Sequence, residues 1–422
     1  MTNTHDIPLH KDLGDSLVLR TAASKEEVER VAQFDGLIHG AGVTAMTLDI
    51  YLRHPHTRWP DLIYVEDTRT QQVVSSLCLI PWTLNYEGVM LSSGEMGIVG
   101  TLEPYRKRGL IRAQVEVFKA HLHETGCLLS HIQGIGYYYR QFGYEYAMPL
   151  DGGYRLTHRE VPKLTEPAYT FRKATQADIL ALQALYDTAA RDLAIHTQRD
   201  EATWLYLLEH NPQSEMEAET WVALDAQQRI VSYFRLPEHH FGEELTVNEA
   251  SRFNFDAAWA TLAHIARLAE ERHTPGVRLC LPPASDLMRV ARSFGANDMG
   301  TYAWQIYIPD RVALLRTIGP ALEKRIAGSI FAGCTRTITL SFYRQSIRLN
   351  FVAGKLMQVS DQGIGDEADA HIPPLAFVPL VLGYRSFEEQ HKAYPEMGVS
   401  SAQRLFIETL FPRCSSFLYT NY

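Results

Sequence analysis

The sequence predicts an α+β (mixed α/β) protein of several domains, and three observations predict it. The chain has 422 residues, too many for one ordinary hydrophobic core. A strand, a basic glycine turn and a helix follow one another near residue 100, and the surroundings of that unit recur later in the chain. The last third reads as short alternating strands flanked by helical spacing.

The first unit is Val99-Gly-Thr-Leu-Glu-Pro-Tyr-Arg-Lys-Arg-Gly-Leu-Ile-Arg112. Met96, Ile98 and Val99 are apolar and β-prone, and Pro104 ends the run. Beyond Gly109 the spacing changes, and Ile111, Val115, Phe118 and Leu122 form one apolar helix face. A helix that starts this way leaves its first N–H groups unpaired beside Arg106, Lys107 and Arg108. Donors, helix dipole and guanidinium groups together suit a pyrophosphate. A β-carbon at position 109 would hold phosphates away from the backbone. Taken alone, the turn reads equally well as a solvated basic loop.

The repeat comes next. Arg20 precedes the acidic helical segment Ser24-Lys-Glu-Glu-Val-Glu-Arg-Val-Ala-Gln-Phe34, and Arg172, 152 residues later, precedes the helical segment 176–186. Arg140-Gln-Phe-Gly143 recurs as Arg292-Ser-Phe-Gly295 at the same spacing. Shifted by that spacing, Arg106, Gly109 and Tyr139 fall on Ala258, Thr261 and Ala291. The second copy thus keeps a helix over 259–268 and loses the turn and the tyrosine. The polar stretch from Thr157 to Pro167, with two prolines, is the linker between the copies.

In the third region Ala303–Ile308 alternates as a strand, and Pro309 and Asp310 open a helix through Arg325. Strands follow over Thr337–Phe342, Ser346–Phe351 and Leu356–Val359, then a helical stretch with Leu375, Val378 and Leu382. The boundaries this implies are 1–160, 161–302 and 303–422.

Composition narrows the function. No apolar run is long enough to span a bilayer and the N-terminus lacks a signal-peptide pattern, so no membrane association and a cytoplasmic location are expected. The formal charge of −9 argues against nucleic-acid binding and suits a small cationic partner. Five scattered cysteines read as reduced thiols. Seventeen histidines lack ligand spacing, so no metal is assigned.

Arg106-x-x-Gly109 resembles motif A of the GNAT N-acetyltransferases, with Ile111 replacing the pattern's last small residue. Gly109-Leu110-Ile111-Arg112 resembles the version in the Eis-like (enhanced intracellular survival) branch. That branch carries two tandem GNAT-fold domains, one of them degenerate, followed by a sterol-carrier-protein-like α+β domain. The resemblance covers nearly the whole chain. It implies direct transfer of acetyl from acetyl-CoA, as co-substrate, to a primary amine of a cationic acceptor of aminoglycoside, polyamine or lysine type. It also implies a homo-oligomer, possibly a hexamer. The rival is a non-catalytic, CoA-responsive scaffold whose last domain binds an apolar ligand.

The same resemblance assigns roles. Val99, Gly100 and Thr101 would pair with the pantetheine arm, Gly100 allowing close approach; the alternative is a strand bulge. Arg106, Lys107, Arg108, Gly109, Leu110, Ile111 and Arg112 would take the phosphates, with Arg112 equally a surface residue. Gly134 joins the cofactor set. Gly134-Ile-Gly-Tyr-Tyr-Tyr-Arg-Gln-Phe-Gly-Tyr144 resembles the family segment holding the acid that protonates the leaving thiolate. Counting from Gly143 makes it Tyr139; aligning on Arg140 makes it Tyr138. Tyr137 and Tyr144 read as packing residues. Two bases compete: Glu95, placed like the glutamate of the histone-acetyltransferase branch, and the terminal carboxylate of Tyr422. The aromatic tail Phe417-Leu-Tyr-Thr-Asn-Tyr422 is unusual for a free end. His131 is a candidate lining residue of the acceptor pocket. Asp35 would make that pocket acidic, although nothing in the sequence brings it there.

Overall fold

A computed structural model describes residues 9–164, 168–209, 213–239, 242–365, 367–420 and 422. The N-terminal hexapeptide, the linker's last three residues and Asn421 lie outside the described residues. The architecture is mixed α/β.

The largest sheet is built on two long antiparallel strands, Gln72–Tyr86 and Val89–Thr101. Leu62–Asp67, Leu17–Thr21 and His10–Gly14 extend it on one side. On the other side Leu129–Ile132 runs parallel to Val89–Thr101, but only from Ser93–Leu129 to Glu95–His131. Beyond that pair the strands separate. Their divergence is reinforced on Val89–Thr101 by a bulge, in which Ile98 and Val99 oppose Leu77 and Ile98 takes φ 48°. Apolar Val115, Phe118 and Leu122 of the helix Leu110–Glu124 pack on one face of this sheet. The helices Lys25–His39 and Ala41–Leu52 cover the other.

The recurrence seen in the sequence has a counterpart here. In chain order Ile179–Ala190 and Glu201–Leu208 stand where Lys25–His39 and Ala41–Leu52 do, with the strand Ile195–Gln198 between them, and Phe255–Glu271 stands where Leu110–Glu124 does. The strands of this part form two four-stranded sheets. The sheets also trade strands. Tyr154–Leu156, from the first sequence segment, pairs with Val277–Leu279 and Asn297–Asp298. Tyr302–Tyr307, after the second segment, enters the large sheet between Leu129–Ile132 and Glu145–Leu150. The boundaries drawn at 160 and 302 therefore separate sequence segments but not sheets, because short connections leave each strand nearer the neighbouring copy's edge. The strand expected to open the third region belongs to the first sheet.

The fourth sheet has five strands, in the order Lys355–Gly363, Ser346–Val352, Arg336–Ser341, Ala370–His371 and Gly398–Val399. The long helix expected through Arg325 is two, Arg311–Thr317 and Gly319–Ala327. Asp310 caps the first, and Pro320, which has no N–H to donate, forces the break. The apolar side chains of this region join those of the first sheet in one core that includes Trp304 and Tyr422.

No described helix is long and apolar enough to cross a membrane. All five cysteines are free thiols.

Candidate functional site

The helix Leu110–Glu124 begins on Gly109, whose φ of 78° lies in the left-handed region, and no side chain caps it. Its first backbone bond runs from Ala113 N–H to the Gly109 carbonyl at 3.1 Å. From Lys107 to Arg112 no backbone N–H donates to a partner among the described residues. A run of free donors at the positive end of a helix is an anion cradle. The glycine's role is conformational: a Cβ there would meet no protein atom within 4 Å. Lys107 also has positive φ, 63°.

The basic side chains differ in their engagement. Arg106 is exposed, its Nε 3.3 Å from the Thr101 carbonyl. Arg108 pairs with Asp15 at 2.9 Å and lies over the Tyr105 ring. Arg112 reaches Gln141 at 3.4 Å and lies over Phe142. Leu110 is buried and Ile111 half-buried.

Two glycines of the expected cofactor set also have packing roles. A Cβ at Gly100 would lie 3.1 Å from Ile38 and 3.4 Å from the His39 ring. This glycine makes room for the helix Lys25–His39. A Cβ at Gly134 would overlap the Tyr139 ring at 2.2 Å, and its carbonyl accepts from Tyr302 and Gln305. Gly134 therefore seats the tyrosine. The bulge takes in Val99, while Gly100 and Thr101 keep regular pairs with Ser76 and Ser75.

Tyr139 lies on the short helix Tyr138–Phe142, buried between Gly134 and Phe142. Its hydroxyl has no hydrogen-bond partner among the described residues, and burial holds the phenol well above its ordinary pKa. Tyr138 is partly exposed and stacks edge-on to Tyr139 at 5.1 Å. Tyr144 is a packing residue, its hydroxyl 2.7 Å from Ser130. Tyr137 is not: at 71% exposure it stands in solvent under the Arg140 guanidinium.

On the other face of the large sheet, at the point of divergence, lies a closed polar cluster. Parallel pairing brings Glu95 beside His131, with His131 Nε2 3.8 Å from Glu95 Oε2. His131 Nδ1 lies 3.0 Å from Ser93 Oγ. The Tyr422 phenol donates to Glu95 Oε1 at 2.7 Å. Trp82 and Trp304 flank His131 edge-on at 4.6 and 5.0 Å. All five of Glu95, His131, Tyr422, Trp82 and Trp304 are buried. Burial raises the Glu95 carboxyl to about 8, with the Tyr422 hydrogen bond opposing, and lowers His131 to about 3. At neutral pH the imidazole is therefore neutral and the pair is not an ion pair. Glu95 Oε2, His131 Nε2, Trp82 Nε1 and Trp304 Nε1 each lack a hydrogen-bond partner within good geometry among the described residues.

Both base candidates thus converge, but the group of Tyr422 that reaches Glu95 is its phenol. Asp35 is buried away from this contact, accepting from Ser76 Oγ at 2.6 Å and Thr47 Oγ1 at 2.9 Å, and burial raises it to about 7. Tyr422 also lines a small cleft with Asp49, Tyr206, Glu209, Glu217 and Arg235. Trp82 and Trp304 escaped sequence reading because one sits mid-strand and the other more than 200 residues away, in a strand assigned to the third region.

Among the described residues no group of three or more His, Cys, Asp or Glu side chains is arranged to hold a metal. Residues 50–147 match the family described as an acetyltransferase (GNAT) domain, and the chain carries that enzymatic domain. No curated protein matches the chain. Its fold is similar to that of a GCN5-related N-acetyltransferase from Anabaena variabilis, at 14% identity and TM-score 0.71, covering 95% of this chain and 99% of that one. It is also similar to Eis1 from Mycobacterium abscessus, at 15% identity and TM-score 0.64, covering 96% and 100%. An N-myristoyltransferase from Saccharomyces cerevisiae with bound myristoyl-CoA shares 13% identity and TM-score 0.50, covering 73% and 86%.

Proposed function

We propose that this protein is an acetyl-CoA-dependent N-acetyltransferase of Eis-like organisation, which passes acetyl directly to a primary amine of a cationic acceptor. The observation that carries the reading is the diverging strand pair beside an uncapped, arginine-flanked helix N-terminus. The bound myristoyl-CoA of the yeast relative supports an acyl-CoA as the donor. The donor supplies an activated thioester. The N–H groups from Lys107 to Arg112, with the side chains of Arg106, Lys107, Arg108 and Arg112, suit its phosphates.

Tyr139 serves as the acid. Its phenol is protonated at neutral pH, and its unbonded hydroxyl is available to a thiolate. Glu95 is the base. A carboxyl poised at about 8 takes a proton from an ammonium far better than one at 4.5. Tyr422 covers Glu95, so the proton travels through the phenol, which accepts from the amine as it gives to the carboxylate. The cleft in front of Tyr422 favours a cation, since Asp49, Glu209 and Glu217 outnumber Arg235, an excess that Arg53, paired with Asp49 and Glu209, reduces without cancelling. In this reading the first copy is catalytic and the second degenerate. The third is sterol-carrier-like, its five-stranded sheet backed by helices.

Thiol release from acetyl-CoA is the test, measured across a panel of aminoglycosides, polyamines and lysine peptides. Turnover with at least one is expected. No turnover with any, alongside tight binding of an apolar ligand, overturns the reading in favour of a scaffold.

A further inference from the structure

The second copy contains the most elaborate buried charge cluster of the described chain, and it touches the C-terminal tail. Arg199 makes a two-pronged ion pair with Glu249, Nη1 to Oε1 at 2.8 Å and Nη2 to Oε2 at 2.7 Å. Its guanidinium lies 4.7 Å from the Tyr186 ring centre and 4.9 Å from that of Trp204. Tyr233 donates to Glu249 Oε1 at 2.7 Å, and Arg235 approaches the other oxygen at 3.8 Å. All are buried. Burial works against both charges of the pair, yet each partner holds the other ionised.

A pair this enclosed gains little net stability over an apolar one of the same shape. Its value lies in fixing a direction, and Arg199 Nη2 also donates to the Thr420 carbonyl at 2.5 Å. The neighbouring contacts track the same tail. Ser416–Phe417 pairs in parallel with Ile195–His196, Ala194 N–H donates to the Ser415 carbonyl, and Thr197 Oγ1 donates to the Tyr419 carbonyl at 2.8 Å. Ile195–Gln198 itself lies along Thr83–Tyr86 of the catalytic sheet. The last anchor is therefore two residues from Tyr422, whose phenol meets Glu95. Glu249 also faces Arg235 across its ladder. The second copy's glutamate is spent on the arginine that grips the tail.

We propose that Arg199 is a positioning residue for acetyl transfer: clamped by Glu249, Tyr186 and Trp204, it holds the Thr420 main chain so that the Tyr422 phenol meets Glu95. The second copy would then be a dock for the tail that completes the first. This rests on the reading of Glu95 and Tyr422 given above.

The test is a double-mutant cycle on the full chain with Arg199→Lys and Tyr422→Phe. Lysine keeps a charge for Glu249 but lacks the fork that reaches two partners. Each single variant is expected to lower kcat by about tenfold and shift the alkaline rise of the pH profile upward, and the double variant to be no worse than either. Amide exchange of residues 415–420 should accelerate in Arg199→Lys while the melting temperature and acetyl-CoA affinity hold. Additive losses, or a loss with no change in the pH profile, overturn the positioning role. If Arg199→Lys does not fold, Thr197→Val, which removes only the Tyr419 contact, takes its place in the same cycle. Should no amine turn over, tail exchange still decides: unchanged exchange overturns the dock, whereas faster exchange preserves the dock and leaves only the catalytic reading refuted.

Discussion

The two copies start corresponding helices in opposite ways. Leu110–Glu124 opens on Gly109 in the left-handed region, with no side-chain cap and a row of unpaired N–H groups before it. Phe255–Glu271 opens on Asn254, whose Oδ1 accepts from Ala257 N–H at 2.8 Å, while Phe253 N–H donates to Asp286. One end satisfies itself and the other leaves its donors for a ligand. The buried glutamates diverge likewise. Glu249 is neutralised by arginine, whereas Glu95 sits among aromatic rings, a histidine and a phenol with no cation near it. At these two places the first segment leaves polar groups unmatched among the described residues, whereas the second satisfies its own.

The comparison can be broken most decisively at the glutamates. Glu95→Gln is expected to lower kcat about a thousandfold in steady-state assays. In the unmutated protein kcat/KM should rise with pH through about 8, as Glu95 ionises. Stability runs the opposite way. The folded state keeps that proton up to about 8 and the unfolded state loses it near 4.5, so Glu95's contribution falls as pH rises between these values. Glu95→Gln should therefore melt higher relative to the parent at pH 9 than at pH 6, and an equal difference at both would contradict the raised pKa.

Tyr139→Phe comes next, with kcat down about a hundredfold and acetyl-CoA affinity retained by calorimetry. If Tyr138→Phe behaves so instead, the acid is the exposed neighbour. At the helix ends, Gly109→Val should weaken acetyl-CoA binding about tenfold through backbone strain. Asn254→Gly should leave that binding unchanged and cost only a few tenths of a kcal/mol of stability. Gly100→Ala should cost about 1 kcal/mol of stability from crowding Ile38 and His39, read by denaturant unfolding. A rise in the KM for acetyl-CoA there would restore the ligand-approach reading of Gly100.

Much of this was legible in the chain. The helix over Ile111–Leu122, the basic turn, the repeat spacing of 152 and the strands of the last third follow from local spacing and turn chemistry, which depend on neighbours a few residues away. Glu95, Tyr139 and Tyr422 could be named as candidates because their segments resemble those of a known family, and His131 because its strand leads to the tyrosine segment. Their partners could not. That Glu95 meets a phenol, that Trp304 closes the cluster from a strand of another segment, and that Gly100 and Gly134 serve packing were decided by tertiary contacts. The exchange of Tyr154–Leu156 and Tyr302–Tyr307 between sheets was decided at the same level, because strand pairing depends on which edge is nearest in space, and sequence periodicity carries no record of that.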